Sequence, residues 1–189
     1  MLSIDVFTEK SLHGYPLDIL VSALQKSIRR GDFDTAIQVA CELMVTSEEL
    51  EHHVWHRLLV ISVEDIGSGN WMANTVVKSL YDTICLLSDE ESSGDRRILM
   101  VHAIRFLCKQ EKDRVSCLYS DIIKRENCMN KPIDIPDYAY DMHTLQGKKA
   151  GRGFEHFLHE AAKVVPDCNA EEEQRLTDRL MQLLRPDEL

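Results

Sequence analysis

LDILVSALQKSIRR, residues 17–30, is followed by Gly31-Asp32 and then by FDTAIQVACELMVT, residues 33–46. Apolar residues recur in both stretches at the 3.6-residue spacing of one helix face. Gly31 suits the left-handed position that ends a helix, and Asp32 can cap the helix that follows. These residues therefore predict a helical hairpin whose inward side chains are Leu17, Leu20, Val21, Leu24, Ile28, Phe33, Ala36, Ile37, Ala40, Cys41 and Met44.

The rest of the apolar pattern is helical as well. Ser47 begins a third helix that ends at IGSGN, residues 66–70, because glycine and asparagine commonly terminate helices. Three more helices are expected at about 71–87, 96–109 and 114–128, with a polar loop over 88–94. Short connectors favour antiparallel neighbours. The sequence thus predicts an all-α fold of stacked antiparallel helical hairpins.

Two prolines interrupt the pattern near residue 131. Pro132 and Pro136 exclude a continuous helix between them, and shorter helices are expected beyond, at 154–165 and 170–184. We expect three regions: an N-terminal arm over residues 1–15, a helical domain over 16–130, and a proline- and glycine-bounded segment with C-terminal helices over 131–189, packed on the same domain.

Composition limits the classes of function. The chain has 189 residues and a formal net charge of -10, which disfavours a general nucleic-acid coat because phosphate binding needs clustered Lys and Arg. Six cysteines without a Cys-x-x-Cys pair indicate reduced, buried thiols in the cytoplasm. No secretion signal and no apolar run long enough to cross a bilayer are visible in the sequence, so a cytoplasmic protein without a membrane partner is expected.

Glu64 and Asp65 form a carboxylate pair at the end of the third predicted helix. Negative charge is disfavoured at a helix C-terminus unless it has a partner. Arg57, Arg29 and Lys26 are the candidate partners. We weigh two interpretations: a buried or interface ion-pair network, which the pattern favours, and a metal-binding or catalytic pair of acids.

Two stretches around these acids resemble a known family. SALQKSIRRGDFDTA, residues 22–36, and HRLLVISVEDIG, residues 56–67, are similar to motifs in the C-terminal, non-ATPase region of the RarA/MgsA replication-associated recombination ATPases, the group of the Werner-helicase-interacting ATPase. A weaker similarity covers residues 135–157. The motif residues that match are Lys26, Arg29, Asp32, Arg57, Glu64 and Asp65.

The resemblance implies that the helices form a collar of the AAA+ clamp-loader type, through which subunits assemble. It also implies that the protein acts at stalled replication forks. The sequence departs from the family at His56 and Val60, which replace arginines, and at Phe33, which replaces a proline. The phosphate-binding Gly-x-x-x-x-Gly-Lys-Ser/Thr loop is absent from the sequence, so no intrinsic ATPase and no cofactor are expected. A homo-oligomer and a separate ATPase chain are the implied partners.

A basic, glycine-containing segment near the C-terminus indicates an alternative. Lys148, Lys149 and Arg152 lie in a predicted loop among three glycines, before a helix start, where backbone N–H groups and basic side chains can bind the phosphate of DNA or of a nucleotide. The plain interpretation is a solvated connector. As an enzyme, the chain would use acid–base groups around that site, namely Asp141, His143, His156 and Glu160.

Histidines at one-turn spacing indicate a second alternative, a metal site. His52 and His56 share one helix face, and His156 and His159 share another. Such pairs occur in metal sites on helices. The sequence lacks His-Glu-x-x-His and zinc-finger cysteine spacing, so we expect no metal.

Overall fold

The first two helices meet in a tight turn at Gly31. In the computed structural model, which describes residues 9–87 and 93–184, helix α1 spans Leu17–Arg30 and helix α2 spans Phe33–Thr46. Gly31 adopts φ 73°, and its N–H donates to the carbonyl of Ile28. The Asp32 carboxylate accepts from the Thr35 N–H at 3.2 Å and caps α2. The two-residue connection makes the pair an antiparallel hairpin.

Four more helices follow before residue 130. They are α3, Glu48–Ile61; α4, Ala73–Cys85; α5, Ser93–Lys109; and α6, Val115–Cys128. The predicted all-α fold is confirmed, and the described residues contain no strand, only an isolated bridge between Lys10 and Pro16. The predicted loop over 88–94 is wrong at its end, because Ser93 and Gly94 belong to α5, and residues 88–92 lie outside the described residues.

The core lies between α1, α2, α3, α4 and α5. Burial of apolar side chains in this core contributes about 25 cal/mol to the stability of the fold for each Å² of apolar surface. A buried ion pair also joins this core, since Arg96 Nη2 lies 3.0 Å from Glu51 Oε1 and Nη1 donates to the Ile84 carbonyl. The largest fully buried side chains are Leu17, Leu24, Ile28, Leu43, Leu50, Trp55, Leu58, Ile61, Ile66, Ile84, Met100 and Ile104.

Part of the predicted N-terminal arm is held by α2. The main-chain N–H of Leu12 donates to Thr46 Oγ1 at 3.0 Å, and that of His13 donates to Glu42 Oε1 at 3.0 Å. The His13 ring nitrogen Nδ1 lies 2.6 Å from the other Glu42 oxygen. Residues 1–8 of the arm lie outside the described residues.

Two compact units make up the chain, Met1–Asn130 and Lys131–Leu189. In the second unit, a 3₁₀ turn at Asp137–Ala139 is followed by three helices: α7, Leu145–Lys149; α8, Phe154–His156; and α9, Ala170–Leu183. The helix predicted over 154–165 ends earlier, because α8 continues into a π-helical turn only as far as Ala161.

The cysteines depart from the prediction of buried thiols. All six lie within the described residues and are free, but Cys85, Cys128 and Cys168 are exposed and the others are half-buried. Burial raises the pKa of the Cys108 thiol to about 11. Across the described parts of the chain, no helix is both long and apolar enough to cross a membrane.

Candidate functional site

A wide helical turn places the predicted acid pair. Directly after α3, the chain forms a π-helical turn at Ser62–Ile66, followed by a 3₁₀ turn at Gly67–Gly69. The Leu59 carbonyl, one turn before, accepts from Ser62 Oγ at 2.7 Å and from Asn74 Nδ2 at 3.3 Å. The turn brings the Asp65 side chain to 0% exposure, whereas the Glu64 side chain is 27% exposed.

Both oxygens of the buried Asp65 carboxylate accept hydrogen bonds from α1. Arg29 Nε donates to Oδ1 at 2.6 Å, and Arg29 Nη2 donates to Oδ2 at 3.4 Å. Gln25 Nε2 also donates to Oδ2, at 3.1 Å. A two-point contact of this kind between a guanidinium and a carboxylate is stronger and more directional than a neutral hydrogen bond.

A second arginine approaches the acids from the start of α6. Arg114 Nη2 donates to Glu64 Oε1 at 3.4 Å. Arg114 Nε lies 3.2 Å from Asp65 Oδ1, but its N–H is too poorly aligned to form a hydrogen bond. Arg29 Nη2 also lies 3.6 Å from Glu64 Oε1. Two guanidinium groups therefore face two carboxylates, which offsets part of the cost of burying the charges.

Gln25 extends the network to α3. Arg57 Nη2 donates to Gln25 Oε1 at 2.6 Å, while the amide nitrogen of the same Gln25 donates to Asp65. Arg57 Nε is buried and has no hydrogen-bond partner among the described residues. The five side chains Gln25, Arg29, Arg57, Glu64 and Asp65, together with Arg114, are called the Asp65 network below.

Two glycines let the loop that carries Arg114 approach the π turn. A Cβ added to Gly67, which has φ 51°, would lie 2.6 Å from the Asp113 carbonyl oxygen. A Cβ added to Gly69 would lie 2.5 Å from the Glu111 carbonyl oxygen. The Asp113 N–H donates to the Asp65 carbonyl at 3.0 Å. Side chains at these two glycines would force the loop, and Arg114 with it, away from the acids.

The network supports the ion-pair interpretation of the acid pair. Arg29 and Arg57, two of the three predicted partners, belong to it. Lys26 does not, because its Nζ bonds Ser22 Oγ at 2.7 Å on the surface of α1. Asp32 also lies apart, as the cap of α2. Gln25 and Arg114 were not predicted. The only signal in the sequence for a further arginine is that a buried pair of acids needs more than one cation.

The predicted basic loop in the second unit is wrong in its middle. Residues 145–149 form α7, capped by Thr144 Oγ1, which accepts from the Gly147 N–H at 3.0 Å. A Cβ on Gly147 would lie 1.9 Å from the Asp141 carbonyl oxygen. Gly147 therefore serves close packing of the backbone rather than an open phosphate loop. Lys148 and Lys149 are exposed in the last turn of α7.

Arg152 is engaged within its own unit. Its Nη1 donates to the carbonyls of Asp137 at 2.8 Å and Tyr140 at 2.7 Å, and its Nη2 donates to Asp137 Oδ1 at 2.6 Å. This hydrogen bond lowers the pKa of the Asp137 carboxyl below its usual range. An anion that recruited Arg152 would have to displace these contacts.

The candidate acid–base residues are only partly brought together. His143 Nδ1 lies 2.9 Å from Asp141 Oδ2, and the His143 ring packs edge-on against Phe157. The hydrogen bond from His143 lowers the pKa of the Asp141 carboxyl. Glu160 pairs with Lys163 at 3.2 Å, on the surface. His156 Nδ1 is buried without a hydrogen-bond partner in the described part of the chain.

The histidine pairs do not converge with other ligands. His52 Nε2 lies 3.6 Å from Glu48 Oε1, and the His52 ring packs edge-on against Tyr81. His56 is exposed and stacks on His53, and His159 is exposed. Among residues 9–87 and 93–184, no group of three or more His, Cys, Asp or Glu side chains has a geometry that could hold a metal ion.

Comparison with known proteins does not assign the chain to a family. No protein-family model matches it, and no curated protein matches it. The all-helical fold therefore stands on the structure alone. The relation to the RarA/MgsA family stays a prediction that rests on the residues quoted above.

Proposed function

We propose that this chain is a non-enzymatic helical assembly or adaptor domain of the RarA/MgsA type, acting in DNA replication, recombination and repair at stalled forks. It would work by self-association, with a separate ATPase chain as a partner. The proposal rests on the resemblance of its two motif stretches and on the way these stretches meet.

The Arg29–Asp65 ion pair is the observation that carries the proposal. Arg29 lies in the first motif stretch, residues 22–36, and Asp65 lies in the second, residues 56–67. Their side chains meet at 2.6 Å around a fully buried carboxylate. A buried acid without its arginine is strongly destabilising. The ion pair therefore gives a structural reason for the two motif stretches to occur together in one chain.

The departures from the family lie outside this pair. His56 is exposed on α3, and Val60 is half-buried. Phe33, at the start of α2, packs against the core as a partly buried side chain. These substitutions leave the Arg29–Asp65 contact in place, so they do not alter this link between the two motif stretches.

The same contacts support a role without catalysis. A catalytic or metal-binding acid needs free oxygen lone pairs directed at its ligand. Asp65 directs one oxygen at Arg29 Nε and the other at Gln25 Nε2 and Arg29 Nη2. Glu64 faces Arg114. In this arrangement the acids stabilise the junction of α1, the π turn and α6.

An enzyme that uses residues 141–160 is the second candidate. The observation that favours it is the Asp141–His143 pair, since a carboxylate that orients an imidazole is a common arrangement in acid–base catalysis. The pair stands at 2.9 Å, with His143 64% exposed. Lys148 and Lys149 lie on the neighbouring α7 and would supply positive charge for a phosphate.

Two measurements test the proposal against this alternative. The first is recovery of the tagged chain with newly replicated DNA in cells whose forks have been stalled, compared with the same cells after forks resume. Enrichment at stalled forks is expected, and equal recovery in both states would contradict the role. A tagged Lys148→Ala/Lys149→Ala variant tests whether recruitment depends on the basic residues of α7.

The second measurement is thermal unfolding of the full chain with nucleotides and divalent metals. A ligand at a hundred times its dissociation constant adds about 2.7 kcal/mol to the stability of the native state. An adaptor should show no shift with either ligand. A shift that disappears in His143→Ala would replace the proposed function by the enzyme.

A further inference from the structure

The outward face of α5 is basic, in contrast to the chain as a whole. Three full cations, Arg97, Arg105 and Lys109, are exposed on it, and His102 is exposed among them. At about 100° per residue, the four side chains lie within an arc of roughly 140° around the helix. The chain carries 32 Asp and Glu against 22 Lys and Arg. The face therefore has the opposite sign to the net charge of the protein.

The three full cations have no acid partner in the part of the chain that the structure describes. No hydrogen bond and no ion pair joins Arg97, Arg105 or Lys109 to another described residue. Arg96, on the inner side of the same helix, differs because it is buried and pairs with Glu51 at 3.0 Å. The inner arginine thus stabilises the fold, whereas the three outer cations add no ion pair to it.

Acids near the basic face lie at its two ends. Asp95 stands in the first turn of α5, and Glu111 follows the last turn. The turn between α1 and α2 packs beside the end of α5 and brings Asp32 and Asp34 there, together with the exposed Arg30. No acid occurs between residues 96 and 110. The middle of the face is therefore purely basic.

The helices that pack against α5 add no free acid to the middle of the face. α4 has one acid, Asp82, which pairs with Lys78. Beyond its first turn, α2 has one acid as well, Glu42, which is held by His13. Both carboxylates already have a cation beside them, so neither is available to neutralise the arginines of α5.

The composition of the face indicates which partner fits. The buried centre of a protein–protein interface is poor in charged residues and rich in aromatic ones. Sites for single-stranded nucleic acid add aromatic side chains on which bases stack. Among the described residues of α5, the exposed ones include no aromatic side chain and one large apolar side chain, Ile98, at 61% exposure. A row of unpaired cations without aromatic side chains matches the phosphate backbone of a double helix.

We propose that the outward face of α5 binds the phosphate backbone of double-stranded DNA through Arg97, Arg105 and Lys109, without reading the base sequence. At about 1.5 Å per residue, the three cations span roughly 18 Å along the helix. This length corresponds to about five phosphates of one strand. The inference rests on the proposed function in one respect: it names the surface through which a protein recruited to stalled forks contacts the duplex.

The first test is fluorescence anisotropy of a labelled duplex of about 20 base pairs with the full chain, at 50 to 200 mM salt. Because the net charge of -10 repels DNA, we expect weak binding, with a dissociation constant no higher than about 100 μM at 50 mM salt. Three phosphate contacts predict a slope of about -2.7 for the logarithm of affinity against the logarithm of salt concentration. This slope is a loss of roughly fortyfold in affinity over that range.

The second test removes two of the cations. Arg105→Ala/Lys109→Ala should raise the dissociation constant at least about tenfold and reduce the salt slope to about -0.9. Lys148→Ala/Lys149→Ala is the matched control, because it removes the same charge from two exposed residues of α7. The control should bind within about threefold of the wild type, with an unchanged slope. Circular dichroism and the unfolding midpoint confirm that both variants fold.

The outcomes separate this inference from the proposed function. A wild type that does not bind the duplex at 50 mM salt overturns the inference, and so does an equal loss of binding in the two variants. Binding that is lost only in the α7 variant also overturns it. Tighter binding of a single strand of the same length overturns the assignment to duplex DNA.

A further probe, poly-glutamate, distinguishes DNA from an acidic protein. If the wild type bound poly-glutamate but no duplex, and the α5 variant bound neither, the face would belong to an acidic protein partner and the inference would be wrong. Recruitment to stalled forks is measured separately. Recruitment without duplex binding would leave the proposed function in place, through its protein partners alone.

Discussion

Arg29 Nε donates to Asp65 Oδ1 across 2.6 Å, and the Asp65 side chain is fully buried while that of Arg29 is 26% exposed. The bond joins α1 to the π turn after α3 and brings together residues 36 positions apart in the chain. Because water cannot reach this acid, the fold depends on its pairing with Arg29 more than it would depend on the pairing of a surface acid.

Removal of the arginine should destabilise the protein strongly. Arg29→Met keeps the apolar stem but leaves Asp65 without its nearest cation, and we expect a loss of about 3 kcal/mol in the free energy of unfolding. Urea denaturation measures this loss. Arg30→Met is the control, since Arg30 is exposed and bonds only the Lys26 carbonyl of its own helix among the contacts described; we expect a change within about 0.5 kcal/mol. Equal effects of the two variants would contradict a structural role of the Asp65 network.

A side chain at Gly69 should disturb the loop that carries Arg114. The new Cβ of Gly69→Ala would stand 2.5 Å from the Glu111 carbonyl oxygen, which is main chain and cannot rotate away. We expect a loss of about 1–3 kcal/mol, as for other overpacked sites. Gly94→Ala is the control, because Gly94 lies in α5 and a Cβ there meets nothing within 4 Å. In a helix this change should stabilise by up to about 1 kcal/mol, and thermal unfolding compares the two.

Acid should weaken the attachment of residues 9–16 to α2. A hydrogen bond from the Ser11 side chain, followed by those from the main chain and ring of His13, lowers the pKa of the Glu42 carboxyl from 4.5 to about 2. A group whose pKa is lower in the folded state stabilises it above the unfolded pKa, and this contribution is lost as the pH falls. The stability difference between wild type and Glu42→Gln should thus be constant above pH 5 and shrink between about pH 4.5 and 2.

Urea denaturation of the two proteins at pH 6 and pH 3 measures that difference. Thr83→Val serves as a control because the Thr83 hydroxyl bonds only a carbonyl of its own helix among the contacts described, and its effect should not depend on pH. A difference between wild type and Glu42→Gln that is the same at pH 6 and pH 3 would show that Glu42 does not hold the segment through its charge.

The cysteines should differ in reactivity. Burial raises the pKa of the Cys108 thiol to about 11, while Cys85 and Cys168 are exposed. Since the thiolate is the reactive form, Cys108 should be alkylated by iodoacetamide at pH 8 at least ten times more slowly than Cys85 or Cys168. Peptide mapping at successive times measures the three rates, and the unfolded chain in urea gives the reference in which they converge. A fast Cys108 in the folded protein would contradict its half-buried position.

Local signals in the sequence were sufficient for the helices of the first unit. Gly31 and Asp32 end one helix and begin the next through contacts within five residues, and Ser47 Oγ accepts from the Leu50 N–H at 3.2 Å in the same way. Such signals depend only on neighbouring residues, so they can be read without knowledge of the fold. The π turn at Ser62–Ile66 has no comparable signal. Its contacts come from distant residues: the Asn74 amide donates to the Leu59 carbonyl and to Ser62 Oγ, and Arg29 donates to Asp65.

The sequence by itself determined that the chain is all-helical, where most of its helices lie, and that Arg29 and Arg57 were candidate partners for the acid pair. Tertiary structure alone decided that Gln25 and Arg114 complete the Asp65 network and that the large apolar side chains of α6 are exposed. The physical reason is distance along the chain: helix formation depends on residues a few positions apart, whereas α4 and α5 separate Asp65 from Arg114 in the sequence.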